Sequence, residues 1–149
     1  MKAKIREYFS LAPLHNPPNL KGIEVAEQLF PQAKQVAVFD TALHRTIPSR
    51  AAQYAIPQSF YEDHHIQVYG FHGTSHKYVT QLAIAELKKE NSKIISVHLG
   101  NGCSITAVKD GKSLDHSLGF GPVNGLVMGT RSGDIDQSVI FYMIEQLGY

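Results

Sequence analysis

Residues 94–108 read IISVHLGNGCSITAV and predict a β-hairpin closed by a glycine-rich turn. Residues 94–99 form a nearly continuous apolar run, which is typical of a strand buried on both faces. Gly100-Asn101-Gly102 supplies the turn, because Asn-Gly pairs are strongly favoured in tight hairpins, and residues 104–108 are the partner strand. Asp110-Gly111 predicts a second turn. The hairpin therefore gives the sheet from which the other elements can be placed.

Further elements are predicted on the N-terminal side of the hairpin. Residues 36–39 (VAVF) indicate another strand buried on both faces, and residues 66–69 (IQVY) indicate a short alternating strand. The proline-punctuated residues 12–19 should form an extended loop, and a helix should follow it up to Pro31. This order of elements predicts an α/β chain with a mixed sheet and flanking helices.

Two more helices are predicted around the hairpin. One is capped by Thr74 or Ser75, and the other begins within residues 134–137 and is capped by Gly148. Their apolar residues recur at helical spacing and should face the core. They are Val79, Leu82, Ala83 and Leu87 in the first helix, and Val139, Ile140, Met143, Ile144 and Leu147 in the second.

The composition excludes several classes of function. The chain has 149 residues, 43% of them hydrophobic, which is enough for a folded core. The formal net charge of +1 gives no electrostatic reason to expect nucleic acid or a membrane surface as a partner. No apolar run is long enough for a membrane helix or a signal peptide. Cys103 is the single cysteine, which excludes an internal disulfide and fits a reducing cytoplasm.

Three turns carry polar groups that suit an anionic ligand. In Gly100-Asn101-Gly102 the backbone N–H groups can converge on a phosphate, although the same residues also make an ordinary hairpin turn. His72, in the segment YGFHGTSH at residues 69–76, can donate to a developing negative charge. A metal site formed by His72 and His76 would lack a third ligand at a sensible spacing. The sequence therefore favours anion binding over zinc binding.

A fixed positive charge and a carboxylate complete the candidate site. Arg131 lies in the segment MGTRSGD, where small neighbours leave its planar guanidinium accessible to a carboxylate or phosphate. A surface arginine in a loop is the alternative. Asp40 ends the predicted strand 36–39 and could hold Mg²⁺, directly or through water, or cap the next turn. For His64, His65 and His116 a partly buried, hydrogen-bonded role is predicted.

Five segments together resemble the acetate kinase family, in the acetate and propionate kinase group of the actin-like sugar-kinase superfamily. They recur in the family's order and with similar spacing, and they cover nearly the whole chain. They are PLHNP at 13–17, VFDTA at 38–42, YGFHGTSH at 69–76, HLGNG at 98–102 and MGTRSGDID at 128–136.

The resemblance implies an enzyme and its fold. It implies reversible, ATP-dependent phosphorylation of acetate to acetyl phosphate, with Mg²⁺ or Mn²⁺, in a cytoplasmic homodimer that binds neither nucleic acid nor membrane. The fold would be the actin-like, or ribonuclease H-like, two-domain kinase fold. Family members are much longer, so residues 1–149 would be a central fragment that spans the end of the N-terminal domain and the start of the C-terminal domain. Alone, this fragment would be inactive.

The resemblance also implies roles for individual residues. Arg131 would bind the acetate or the transferred phosphoryl group, His72 would stabilise transition-state charge, and Asp40 would position magnesium or the carboxylate. Other matching residues would lie near the substrates or in the loop that binds the nucleotide phosphates. They are His15 and His98 near the substrates, and His98, Gly100, Asn101 and Gly102 in the phosphate loop.

Some positions depart from the family pattern. His116, Gly121 and Asn124 replace a threonine, another threonine and a glutamate, and Gln137 stands where proline is usual. The departures leave propionate and butyrate open as substrates besides acetate. A module that binds an acyl phosphate or a nucleotide without catalysis is the alternative function.

Overall fold

The predicted hairpin forms two of the three strands of the sheet in the computed structural model, which describes residues 1–89 and 91–149. Strand β1 (Lys93–Leu99) pairs antiparallel with β2 (Cys103–Lys109) along its whole length, so the Gly-Asn-Gly turn lies where the sequence predicts it. Asp110 and Gly111 both have positive φ and turn the chain into β3 (Lys112–His116). In the part of the chain that the structure describes, the strand order is β1-β2-β3 and both strand pairs are antiparallel.

The two additional strands predicted from apolar patterns do not form. Residues 36–39 adopt no regular structure, and the side chains of Val36 and Val38 are 82% and 75% exposed. In residues 66–69, Val68 donates to the carbonyl of Ala52 and Tyr69 to that of Gly119, both in loops or short helices. An apolar pattern records side-chain preference, whereas a strand also needs a neighbouring backbone to pair with. The predictions of these strands, and of a mixed sheet, were therefore wrong for the described residues.

The sheet turns its polar residues inward. Ser96, Ser104 and Thr106 are buried at alternate positions of β1 and β2, whereas Ile95 and Leu99 are 67% and 77% exposed. Because successive side chains of a strand point to opposite faces, one face of the hairpin is a row of hydroxyl groups. The prediction that residues 94–99 are buried on both faces was wrong, and the covered face is the polar one.

Helices cover this hydroxyl face. Helix α5 (Gly73–Leu87) packs on β1 and on a 3₁₀ helix at Ala42–Thr46, which in turn packs on β3. The buried residues of α5 are Gly73, His76 and Thr80. Val79, Leu82 and Leu87, which were predicted to face the core, are about half exposed. The polar inner face of the sheet explains this difference, since the buried His76 of α5 bonds the hydroxyls of Ser96 and Ser104.

The other helices of this region are α3 (Ser49–Ala52), α4 (Gln58–His64) and α6 (Gln137–Leu147). Helix α6 begins after Asp136, whose carboxylate accepts the N–H of Ser138 at 2.9 Å, and ends at Gly148 with a left-handed φ. Both ends of α6 therefore confirm the prediction. Its apolar side chains, predicted to be buried, are exposed.

Residues 1–38 form a helical unit of their own. Helix α1 (Lys2–Glu7) and helix α2 (Asn16–Leu29) pack together, with an ion pair of 2.6 Å between Lys2 and Glu27. Helix α2 begins within the loop predicted for residues 12–19. Two prolines are tolerated in its first turn because the N–H groups there have no partner inside the helix.

The second compact unit comprises Phe39–Tyr149 and contains the whole sheet. Helices and strands occur together in the chain, which confirms the α/β class. No helix in residues 1–89 and 91–149 has the length and apolarity needed to cross a membrane.

Candidate functional site

Asp40 fixes the N-terminus of α5. Its carboxylate Oδ2 accepts the N–H of His72 at 2.6 Å, and its carbonyl accepts the N–H of Gly73 at 2.8 Å. A Cβ on Gly73 would lie 2.2 Å from that carbonyl oxygen, so only glycine fits. Asp40 therefore caps the helix in place of Thr74 or Ser75, for which the prediction was wrong, and the charge of the carboxylate suits a helix N-terminus.

His72 is held in an uncommon backbone conformation at this helix start. Its φ of 55° lies in the left-handed region, which costs a non-glycine residue on the order of 1 kcal/mol. The surrounding hydrogen bonds keep the residue in this conformation, which turns the imidazole toward the hairpin.

His72, Arg131 and Gly102 meet at one point. A Cβ built on Gly102 would lie 3.0 Å from His72 Nε2 and 3.1 Å from Arg131 Nη1. Gly102 has no Cβ, so these two nitrogen atoms border the same small space beside the turn. An N–H donor and a guanidinium around one space are an arrangement that suits an anionic oxygen. This convergence is the main feature of the candidate site.

Arg131 is held by its own loop. Its Nη1 donates to the carbonyl of Pro122 at 2.9 Å and contacts Met128 Sδ at 3.6 Å. Met128 also donates its backbone N–H to the carbonyl of Arg131 at 3.0 Å. The guanidinium is therefore oriented by neighbouring loop atoms and is only partly exposed.

The imidazole ring of His98 packs against that of His72. The two rings are stacked with centroids 4.1 Å apart and an interplanar angle of 21°. Ser75 Oγ lies 2.9 Å from His98 Nδ1 and orients this ring. His98 Nε2 lies 3.2 Å from the position that a Cβ of Gly100 would take, so this histidine borders the Gly-Asn-Gly turn. Asn101, at the tip of the turn, is exposed.

A row of hydroxyl and imidazole groups lies behind His72. Ser104 Oγ is 2.9 Å from His72 Nδ1 and 2.7 Å from His76 Nε2. Ser96 Oγ is 2.9 Å from His76 Nδ1. No role was predicted for Ser96 or Ser104. The available signal was the serine or threonine at alternate positions of two otherwise apolar strands.

A second pair of histidines clamps the residue before His72. His44 Nε2 lies 2.8 Å from the carbonyl of Phe71 and must donate to it, since a carbonyl only accepts. The N–H of Phe71 donates to His116 Nε2 at 3.0 Å, so His116 carries its proton on Nδ1, 2.7 Å from Thr106 Oγ1. His116 is buried with both nitrogens satisfied, as predicted, whereas His44 was missed. His64 and His65 are exposed, contrary to the prediction.

The histidines of this cluster resist protonation. Burial, followed by the charges of neighbouring histidines, lowers the pKa of His76 to about 4 and that of His116 to about 3. Burial also lowers the pKa of His44. For His72, burial is the first cause of a lowered pKa and His98 the second, while Asp40 opposes them. Near neutral pH these rings are neutral, so each one has a donor nitrogen and an acceptor nitrogen.

The predicted site residues are divided between the two units. Asp40, His72, His98, Arg131 and the Gly-Asn-Gly turn all belong to Phe39–Tyr149. His15 lies immediately before α2 in the other unit, where it is exposed.

Asp40 is the carboxylate that adjoins His72. Within residues 1–89 and 91–149, no three His, Cys, Asp or Glu side chains are grouped to hold a metal ion. Mg²⁺ is usually held by one or two carboxylates with water and substrate phosphates. Asp40 uses Oδ2 for the His72 N–H, and Oδ1 is the oxygen that could reach such an ion through water. The residues present therefore fit a water-mediated magnesium site.

Sequence comparison assigns the chain to a family. The Acetokinase family matches residues 1–149. The chain belongs to this family. It is 66% identical over 149 residues to the acetate kinase of Flavobacterium johnsoniae, covering 100% of this chain and 38% of that protein. The chain therefore spans about two fifths of the length of this curated relative.

Solved structures of the family have the same fold in the matched region. A propionate kinase from Francisella tularensis superposes with a TM-score of 0.92 at 54% identity, over 99% of this chain and 38% of that one. The acetate kinase of Porphyromonas gingivalis gives a TM-score of 0.92 at 49% identity, with the same coverage. The expected actin-like kinase fold is therefore confirmed for this part of the protein.

The structure shows what surrounds each position that departs from the family pattern. His116 accepts the Phe71 N–H, and Asn124 Oδ1 accepts the N–H of Gly119 at 2.8 Å. Gly121 has open space where a side chain would be. Gln137 is simply the first residue of α6. His116 and Asn124 thus serve local hydrogen bonding.

Proposed function

We propose that this chain forms part of an acetate kinase, which transfers the γ-phosphoryl group of ATP reversibly to acetate. The observation that carries the proposal is the convergence of His72 Nε2 and Arg131 Nη1 on the space beside Gly102. Phosphoryl transfer needs positioning and charge neutralisation more than a covalent nucleophile. A guanidinium and an imidazole donor at one point supply both.

In the proposed reaction an acetate oxygen forms a bond to the γ-phosphorus while the bond from phosphorus to the ADP oxygen breaks. Arg131 orients the carboxylate or the phosphoryl oxygens, and His72 donates from Nε2 to a phosphoryl oxygen as negative charge spreads over it. His98, whose ring stacks on that of His72, and the turn Gly100-Asn101-Gly102 contact the nucleotide phosphates in this proposal. His15 lies near the substrates in this proposal.

The metal and the assembly belong to the same proposal. Asp40 would hold Mg²⁺ or Mn²⁺ through water, and the ion would neutralise phosphate charge when bound. Residues 1–149 are proposed to span the end of the N-terminal domain and the start of the C-terminal domain of a cytoplasmic homodimer. The partners are acetate and ATP, without nucleic acid or membrane.

A hydroxamate assay for acetyl phosphate tests this function. A full-length acetate kinase that carries this segment should be active, and His72→Ala should lower its rate by about 10²-fold if one charge-stabilising donor is lost. Because the chain spans 38% of its acetate kinase relative, we expect the 149 residues alone to be inactive. A turnover of about 1–100 per second from the chain alone, as in typical kinases, would contradict that expectation.

The same assay decides between acyl substrates. Propionate is a specific alternative, because one close structural neighbour is described as a propionate kinase. Acetate should give the highest kcat/KM when acetate, propionate and butyrate are compared. If the full-length protein binds ATP or acetyl phosphate but transfers no phosphoryl group to any of them, the binding-module alternative replaces the kinase.

A further inference from the structure

Ser104 is a single hydroxyl group placed between two imidazole rings. Its Oγ lies 2.9 Å from His72 Nδ1 and 2.7 Å from His76 Nε2, and its side chain is fully buried. A hydroxyl carries one hydrogen and two lone pairs, and among the described residues Ser104 Oγ bonds only these two nitrogens. Its buried hydrogen therefore has an acceptor only when the hydroxyl donates to one nitrogen and accepts from the other. The position of the proton on His72 is therefore coupled to the position of the proton on His76.

Two arrangements of neutral rings make both hydrogen bonds and also give the Ser104 hydrogen an acceptor. In the first, Ser104 donates to His72 Nδ1 and accepts from His76 Nε2, so His72 carries its proton on Nε2. In the second, Ser104 donates to His76 and accepts from His72 Nδ1, so His72 presents a bare lone pair at Nε2. His72 Nε2 is the atom that faces the space beside Gly102 and Arg131. Ser104 thus decides whether that atom donates or accepts.

We propose that Ser104 is a positioning residue that holds neutral His72 as the Nε2–H tautomer, so that the imidazole donates toward an anion beside Gly102. The need for a donor rests on the proposed phosphoryl transfer. The coupling of protons through Ser104 rests on the distances alone.

The groups behind Ser104 complete the same arrangement. When His76 donates from Nε2 to Ser104, its Nδ1 must accept, and Ser96 Oγ lies 2.9 Å away to donate to it. His76 and Ser96 are 1% and 3% exposed, so solvent offers them little competition. The hydrogen bonds then run in one direction, from Ser96 through His76 and Ser104 to His72. Each donor in this row has an acceptor.

Nitrogen NMR of the 149-residue chain with ¹⁵N-labelled histidine tests the tautomer directly. We expect the His72 signals, assigned by their loss in His72→Gln, to show a protonated Nε2 and an unprotonated Nδ1. Ser104→Ala should move His72 toward the Nδ1–H tautomer. Ser113→Ala is the matched control, because Ser113 is equally buried and lies 3.0 Å from His44 Nδ1 instead.

Either of two results would overturn the proposal. The first is an Nδ1–H tautomer of His72 in the unmodified chain, which decides the matter even if Ser104→Ala fails to fold. The second is a folded Ser104→Ala chain in which the His72 signals are unchanged.

A kinetic comparison in a full-length acetate kinase carrying this segment separates tautomer control from general support. Ser104→Ala should lower kcat by about 10- to 100-fold, as loss of a group that orients a catalytic histidine does, and should change KM less. In a His72→Gln background Ser104→Ala should cost nothing further, because an amide N–H donates without a choice of tautomer. Equal losses in both backgrounds would contradict the proposal. If neither the unmodified enzyme nor any variant shows kinase activity, the proposed function fails. The role of Ser104 in setting the His72 tautomer is then tested by the NMR result alone.

Discussion

At the scale of single residues, the site depends on how closely side chains approach the turn at Gly102. Gly102 has no Cβ, and this leaves room for both His72 and Arg131. His72 Nε2 and Arg131 Nη1 each lie about 3 Å from the position that a Cβ would take. The sequence showed each residue in a glycine-rich segment. It could not show that the segments meet, because contacts between distant segments are fixed by the sheet and helices between them.

Gly102→Ala should fill the space between the two nitrogen atoms. The added methyl carbon would lie 2.9 Å from His72 Cε1, so the ring must move. We expect a loss of about 10²-fold in kcat in the full-length enzyme, as small displacements of catalytic groups cause, at a stability cost of about 1 kcal/mol. Gly121→Ala is the control, since a Cβ there meets nothing within 4 Å. Equal activity of the two variants would show that the space is not used.

Arg131→Ala in the full-length enzyme should lower the rate by roughly 10³-fold or more, as with other arginines that neutralise phosphoryl charge. Arg131→Lys should recover only part of the loss, because an ammonium cannot reproduce the planar fork or keep both Pro122 and a substrate oxygen in reach. Steady-state hydroxamate assays measure both variants. Full activity of Arg131→Lys would rule out a bidentate role for this side chain.

At the scale of elements, the two turns of the sheet and the ends of α6 were easier to predict than the buried faces. The Gly-Asn-Gly turn, the Asp110-Gly111 turn and the cap at Asp136 depend on local backbone preferences, which the sequence contains. Residues 36–39 could form a strand only by pairing with a neighbouring backbone, and the local sequence does not show whether such a neighbour exists. The polar inner face of β1 and β2 was missed because strand alternation was read for apolar residues alone.

Asp40 has two separable roles at the start of α5, namely capping and charge. Asp40→Asn retains an oxygen that can accept the His72 N–H, so the free energy of unfolding should change by less than about 0.5 kcal/mol. Asp40→Ala removes the acceptor and should cost about 1 kcal/mol. Urea unfolding of the 149-residue chain measures both changes. The cap assignment requires that the two variants differ, so equal losses would count against it.

At the scale of the whole molecule, the buried histidines make stability depend on pH. In the unfolded chain the pKa of a histidine is about 6.5. In the folded chain the pKa of His76 is about 4 and that of His116 is about 3. Between these values the unfolded chain binds more protons. The free energy of unfolding should therefore fall as pH decreases from 6.5 toward 4, by up to about 1.4 kcal/mol per pH unit for each such histidine.

Urea midpoints at pH 7.5, 6 and 5 measure this dependence. The midpoint should decrease at each step below pH 6.5. His116→Gln should flatten the curve, because glutamine does not titrate, whereas His15→Gln, at an exposed position, should leave it unchanged. Identical midpoints at pH 7.5 and 5 would mean that the folded histidines accept protons as readily as unfolded ones.

The outward face of β1 affects how readily the chain aggregates in a cell. Ile95, Val97 and Leu99 present bare hydrocarbon to water, 48% to 77% exposed, along an edge strand of a three-stranded sheet. Exposed apolar edge strands of this kind promote aggregation with other unfolded chains and are bound by chaperones. For these 149 residues on their own, the competition between folding and aggregation will set the yield, and low temperature with dilute expression will favour folding.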